Sequence, residues 1–174
     1  MKQRVLQFFH ALTARLYKCD HEFVCCFLNE AERTLFYAMD VIDQRHAVHT
    51  AYMALELARA RADIDKNLLV RIALLHDIGR VKGDLGLWGK VISVLLHYFL
   101  PNASRRFSSP SREGVFGFWR RALYVYYHHA EIGSEKLQIL GCDKEASLIR
   151  LHHHQLTPTA AAELRLLQEA DRKN

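Results

Sequence analysis

A chain of 174 residues is expected to form one domain with a sizeable core, and its 50% apolar and 25% charged composition is that of an ordinary soluble globular protein. The net charge of +5 favours anionic partners such as phosphates, nucleotides or an acidic lipid surface, without choosing among them. Histidine is the outlier at 11 residues, with clusters at His128-His129 and His152-His153-His154. The four cysteines, Cys19, Cys25, Cys26 and Cys142, form no C-x-x-C pair, adjacent Cys25-Cys26 is a poor disulfide arrangement, and all four read as buried thiols in a reducing cytoplasm. Lys2 and Arg4 open the chain, but His10, Arg15 and Lys18 interrupt any apolar signal core.

Strand signals are scarce, so the chain reads as all-α. Val5, Phe8, Phe9, Leu12 and Leu16 recur at helical spacing and predict a first helix. Asn29-Glu30-Ala31-Glu32 predicts a capping box that opens a short helix through Tyr37. Asp40 can cap a helix over 41–62, on which His46, Thr50, Met53, Ala54 and Leu57 share a face. Asp65 can cap the next, whose stripe is Leu68, Leu69, Ile72 and Leu75. Gly79 is a stop if it takes the left-handed turn that ends helices.

Residues 81–118 depart from this pattern. Lys82–Gly86 is loop-like, Leu87–Leu100 is strongly apolar, and Pro101 begins a Ser/Arg-rich connection to about Gly117. The apolar run is too short to cross a membrane, which takes about 20 residues. It reads either as a core helix or lid, or as an interfacial helix with Trp88, Tyr98 and Phe99 at the boundary and Arg105, Arg106, Arg112, Arg120 and Arg121 beside it. A helix from Phe118 to His128-His129 and another from Ala130 to Leu140 follow, the latter ending at Gly141. Asp143 can cap a helix holding Ile149, His152 and His153, and Thr157-Pro158 can start the last, on which Leu164, Leu167 and Asp171 share a face.

His46, His76, Asp77 and Asp171 thus come from three helices, each on or beside an apolar stripe. A carboxylate on a core-facing stripe is costly unless it is paired or bound to metal. Asp43 and Glu131 read as solvated helix-start acids, His49 as a surface or neighbouring residue, and His128 as a bystander to His129.

On these residues the sequence resembles the HD-domain metal-dependent phosphohydrolases of HDIG type. His46 with Thr50-Ala51, Ala54 and Leu57-Ala58 is similar to that family's opening helix, and Ala73-Leu74-Leu75-His76-Asp77-Ile78-Gly79 to its core motif. His129-Ala130-Glu131-Ile132-Gly133, Ile149-Arg150-Leu151-His152-His153 and Ala170-Asp171 resemble its later segments, in the same order. The resemblance implies an all-α helical bundle with a metal site between core helices, an N-terminal helical extension over 1–39, and an HD-type domain over 40–174 with an insertion at about 81–118. It also implies that His46, His76, Asp77 and Asp171 hold a first metal, that His129, His152 and His153 help hold a second, and that Asp77 bridges both. A mixed imidazole and carboxylate set suits one or two ions of Fe, Mn, Co, Ni or Zn better than Mg or Ca.

Two departures narrow the reading. The Gly-Tyr-Pro loop of the cyclic-di-GMP branch is replaced by His154-Gln155-Leu156-Thr157-Pro158, and Arg80 stands where many relatives have lysine. Arginine keeps the charge and can grip phosphate through two nitrogens, but it donates no proton near neutral pH. The expected activity is hydrolysis of a phosphoester or phosphoanhydride of a nucleotide or similar small phosphate compound. In it Asp77 orients the nucleophile, Arg80 holds phosphate, and His129 or His152 protonates the leaving oxygen if unmetallated. The rivals are a catalytically inactive ligand-sensing module and a peripheral membrane protein recruited through residues 87–121. No specific nucleic-acid binding is expected, and the cytoplasm, with weak membrane-surface contact, is the expected location.

Overall fold

The computed structural model describes residues 15–84 and 86–174, the side chains at 86–88, 90 and 91 excepted. The predicted first helix therefore lies outside the described residues apart from Leu16, and so does the side chain of Trp88. Among the described residues the fold is all-α. Its helices are α1 Lys18–Phe27, α2 Glu30–Tyr37, α3 Val41–Leu57, α4 Lys66–Leu75, α5 Gly86–Phe99, α6 Pro101–Phe107, α7 Gly117–Ile139, α8 Asp143–Arg150 and α9 Ala162–Lys173.

The core gathers around α4, where Leu68, Leu69, Val70, Ile72, Ala73, Leu74 and Leu75 are all buried. A helix apolar all round must be surrounded, and α4 is packed against α3, α8 and α9, with α1 and α2 on a further side. Val24 and Phe36 from the first two helices, with Leu28 and Met39 just beyond their ends, join the same apolar cluster as Leu69 and Leu167. Arg71, the polar residue in this stretch of α4, is paired with Glu32 and with Glu145 at 2.5 Å, tying α2 and α8 to the central helix.

Local chemistry sets several helix ends as expected. Asn29 accepts from Glu32 N at 3.0 Å while the Glu32 carboxylate accepts from Asn29 N at 2.9 Å, so both halves of the capping box form. Asp65 Oδ1 accepts from Leu68 N at 3.0 Å and caps α4. Gly141, at φ +74°, adopts the left-handed conformation that ends α7.

Other boundaries differ from the sequence reading. The helix predicted over 41–62 ends at Leu57, because the chain must turn to bury Ile64 before Asp65 starts α4, and Asp40 makes no side-chain cap. The two helices predicted around His128-His129 are one continuous helix of 23 residues, since nothing between them breaks the backbone ladder. Pro101 opens a helix instead of a loop, because proline at the first position loses no needed hydrogen bond. Asp143 is the first residue of α8 and makes no cap; Cys142 holds that position, and His152 and His153 fall in the turn after Arg150. The last helix starts four residues beyond Pro158, where Arg165 instead gathers the carbonyls of Thr157, Pro158 and Ala160.

The cysteines also differ: Cys19, Cys25 and Cys26 are exposed and Cys142 is half-buried, all as free thiols. Helix α1 turns Val24 inward, which leaves its cysteines on the outer face. Helices α5 and α6 pack on α7. Leu95, Tyr98, Phe99 and Leu100 remain exposed, so the C-terminal end of the apolar run lies outside the core. No helix of the described residues is long and apolar enough to cross a membrane.

Candidate metal centre

The centre is built from the C-terminal end of α4, the middle of α3 and α7, the turn after α8, and the last turns of α9. His76 caps α4, and Asp77, Ile78 and Gly79 form a tight turn with Arg80 N bonded to Asp77 O at 2.9 Å. Gly79 does not take the left-handed conformation expected of a helix stop. A β-carbon there would lie 2.0 Å from the carbonyl oxygen of His129, so glycine is required by the close approach of α7. Gly133, one turn along α7, meets the same turn, and Lys136 Nζ donates to Ile78 O at 2.8 Å.

Three buried histidines share one arrangement. His76 Nδ1 faces Ala73 O at 2.8 Å, His129 Nδ1 faces Tyr126 O at 3.1 Å, and His152 Nδ1 faces Ile149 O at 2.6 Å. A ring nitrogen facing a carbonyl must carry the proton, so each Nε2 presents a lone pair. These nitrogens point into shared space. His76, His129 and His152 ring centroids are linked by separations of 5.4 and 5.5 Å, and His129 Nε2 lies 2.8 Å from His153 Nε2. His76 Nε2, His152 Nε2 and Asp77 Oδ1 are buried and have no hydrogen-bond partner among the described residues. Buried polar atoms left this way cost on the order of 1–3 kcal/mol each, so they call for a partner of their own.

The ligand atoms fall into two groups, His46-His76-Asp77 and His129-His152-His153, each within 4.8 Å of one another. Asp77 lies between them, with Oδ2 3.6 Å from His76 Nε2 and Oδ1 3.4 Å from His129 Nε2. Asp171 closes the first group, its Oδ1 2.9 Å from His46 Nε2 and 3.8 Å from His76 Nε2. All seven predicted ligands are therefore brought together. Neutral imidazoles and carboxylates aimed inward fit a divalent transition metal, and a bridging carboxylate between two such groups suits two ions.

Electrostatics favour the ligating forms. Burial pushes the His129 pKa well below its ordinary value, with the Arg80 guanidinium adding to the effect. Burial, then His76 and His153, lower His152 to about 3, and burial lowers His153. Burial alone would raise Asp77, but Arg80 and the facing histidines outweigh it and hold the carboxyl well below its usual range. Asp171 is likewise lowered against burial, chiefly by its bond from His46. His46 differs from the others. Burial would lower its pKa, but the Asp171 bond raises it, so its Nε2 proton must leave before that nitrogen can ligate.

Arg80 donates to Asp77 Oδ2 at 2.6 Å and to His129 Nε2 at 3.1 Å, with Asp43 3.7 Å away. It is thus a cation inside the centre and not a solvated helix-end charge. Asp43 is buried beside it, and Glu131 has one buried carboxylate oxygen without a hydrogen-bond partner, so neither is the solvated acid expected from the sequence. The spacing of Asp43 and His46 on one helical face was the available signal. Asn174 was not anticipated at all. Its amide bonds to His46 O and Thr50 Oγ1, both at 3.0 Å, and lies 3.2 Å from His46 Nδ1. This clasp ties the end of α9, which carries Asp171, to α3. His49 is exposed, and His128 stacks on Tyr124.

Neutral buried histidines make a pH prediction for the metal-free protein. The unfolded chain takes up protons near the ordinary histidine pKa of 6.5, whereas folded His152 resists until about 3. Between those values the unfolded state binds more protons, so stability falls as pH drops. Thermal melts in chelator should show a lower Tm at pH 5 than at pH 7.5; an unchanged Tm would contradict a neutral cluster.

A helix bundle with inward-facing histidines and carboxylates is an architecture in which metal sites are built. The HD domain family model matches residues 44–99, the stretch that carries His46, His76 and Asp77, and HD domains typically house metal-dependent hydrolases. His129, His152, His153 and Asp171 lie beyond the matched residues and join the centre through the packing of α7, the turn after α8, and α9. No curated protein and no solved structure matches the chain.

Proposed function

We propose that this protein is a metal-dependent phosphohydrolase that cleaves a phosphoester or phosphoanhydride of a nucleotide or similar small phosphate compound. The observation that carries the reading is the set of buried, unpartnered His76 Nε2, His152 Nε2 and Asp77 Oδ1 between two ligand groups. His46, His76, Asp77 and Asp171 would hold one divalent ion, and His129, His152 and His153, with Asp77 shared, a second. Bound metal of this kind supplies hydroxide near neutral pH and polarises a phosphoryl oxygen.

The chain's own groups do the rest. Asp77 fixes the relation between the two ligand groups and orients the nucleophile. Arg80 holds a phosphate oxygen with a planar, permanently charged fork, exchanging its bond to Asp77 for one to substrate. Burial keeps His129 and His152 neutral at pH 7, which suits ligation over proton donation. His153 is the exposed member of its group.

Elemental analysis of protein purified without a tag should find one or two transition-metal ions per chain. The same sample should hydrolyse a generic phosphodiester or a member of a nucleotide panel, faster with added Mn²⁺. Metal without turnover on any of these would favour the ligand-sensing reading, and no metal after reconstitution would overturn the site.

A further inference from the structure

The insertion between α4 and α7 carries a feature that phosphohydrolysis does not use. Exposed large apolar side chains concentrate there. Val115 is 94% exposed, Tyr98 75%, Phe99 70%, Phe116 59% and Leu100 56%. Soluble proteins rarely leave apolar groups clustered in water without a partner. Phe107, Val115 and Phe116 line a cleft of about 240 Å³ together with Arg106, Arg120 and Glu113. Arg120 also lies over the Phe107 ring, 5.9 Å from its centroid.

The charge beside these side chains is one-sided. Between 95 and 121 the only acid is Glu113. Arg112 and Arg121 are bound to buried Asp84, so they anchor the insertion to the turn after the HD motif. Arg105, Arg106 and Arg120 form no ion pair among the described residues. Aromatic and aliphatic side chains beside unneutralised arginines match the interfacial zone of an anionic bilayer, with apolar groups at the acyl boundary and cations at the headgroups. A nucleic acid would use the arginines and the rings, but has no use for the aliphatic Leu100 and Val115.

We infer that residues 95–120 form a docking surface for an anionic lipid membrane. Contact is peripheral, since no described helix is long and apolar enough to span. The surface is separate from the metal ligands, so docking does not depend on the hydrolase reading.

The test is co-sedimentation of the metal-stripped full chain with phosphatidylcholine vesicles, with and without phosphatidylglycerol. Three unneutralised arginines predict a preference for the anionic vesicles on the order of 100-fold at low salt, weakened by high salt. Arg105→Glu with Arg106→Glu should remove most of that preference, and Val115→Ser with Phe116→Ser should weaken binding at unchanged Tm. These sites are exposed, so folding should survive both pairs. Absence of binding to anionic vesicles at low salt would overturn the inference, as would binding that ignores both pairs. A concentration-dependent dimer lost in Phe116→Ser, without vesicle binding, would assign the surface to a second copy of the chain.

Discussion

Replacing Asp77 by alanine should abolish metal-supported hydrolysis and lower bound metal. Asp77 is the group that approaches both ligand sets, with His76 Nε2 at 3.6 Å on one side and His129 Nε2 at 3.4 Å on the other. Loss of an outer partner of a metal ligand already costs about 10–100-fold in affinity or activity, so loss of a shared ligand should cost at least about 100-fold. Alanine has a second effect. It strands the Arg80 guanidinium, which gives up its 2.6 Å partner and keeps Asp43 at 3.7 Å as its carboxylate, beside its bond to the neutral His129 Nε2 at 3.1 Å. Breaking a buried ion pair from one side costs about 3–5 kcal/mol, and partial exposure of Arg80 reduces that here. Asp77→Asn separates the effects, since its amide oxygen can still accept from Arg80 while the negative charge is gone. Metal content, turnover and Tm should be measured on both variants. Both should lose metal and turnover, while the asparagine variant melts closer to the parent chain. Unchanged turnover in either would remove Asp77 from the centre.

Much of this centre was legible because its chemistry is local in sequence. His76 and Asp77 are adjacent, His46 lies on a helix with a clear apolar face, and Asn29-x-x-Glu32 announces its own cap. What escaped depends on neighbours distant along the chain. Asp43 looks like an ordinary acid at the start of a helix until the turn after α4 brings Arg80 within 3.7 Å. Asn174 acquires a role only when α9 lays it against His46 and Thr50. His152 and His153 share a motif that reads as helical, yet they lie in a turn, where the chain reverses to present both rings to His129. The continuity of α7 escaped because a boundary was read after His128-His129, where nothing breaks the backbone ladder; the helix also runs through Gly133, a residue that normally weakens a helix. Here it is required by contact with Ile78 and the backbone of Gly79.

That contact sets the largest expected effect on stability. Gly79→Ala would place a β-carbon 2.0 Å from His129 O and 2.7 Å from His129 C and Cα. These are backbone atoms in the interior of α7, so no rotamer change can make room. The HD turn and α7 must move apart, and Gly133 and Lys136, which meet the same turn, must move with them. Overpacking of a well-packed core costs about 1–3 kcal/mol and sometimes more, and a clash with backbone belongs at or above the upper end. The displacement also carries His129 away from Asp77, so metal affinity should fall with stability. Gly141→Ala is the control. At φ +74° with nothing within 4 Å of the added carbon, it should cost only the left-handed strain of about 1–2 kcal/mol and leave metal content unchanged. Denaturant unfolding and metal analysis on the pair would test the contact. If Gly79→Ala were no less stable than Gly141→Ala, the HD turn and α7 could not be as close as this packing requires.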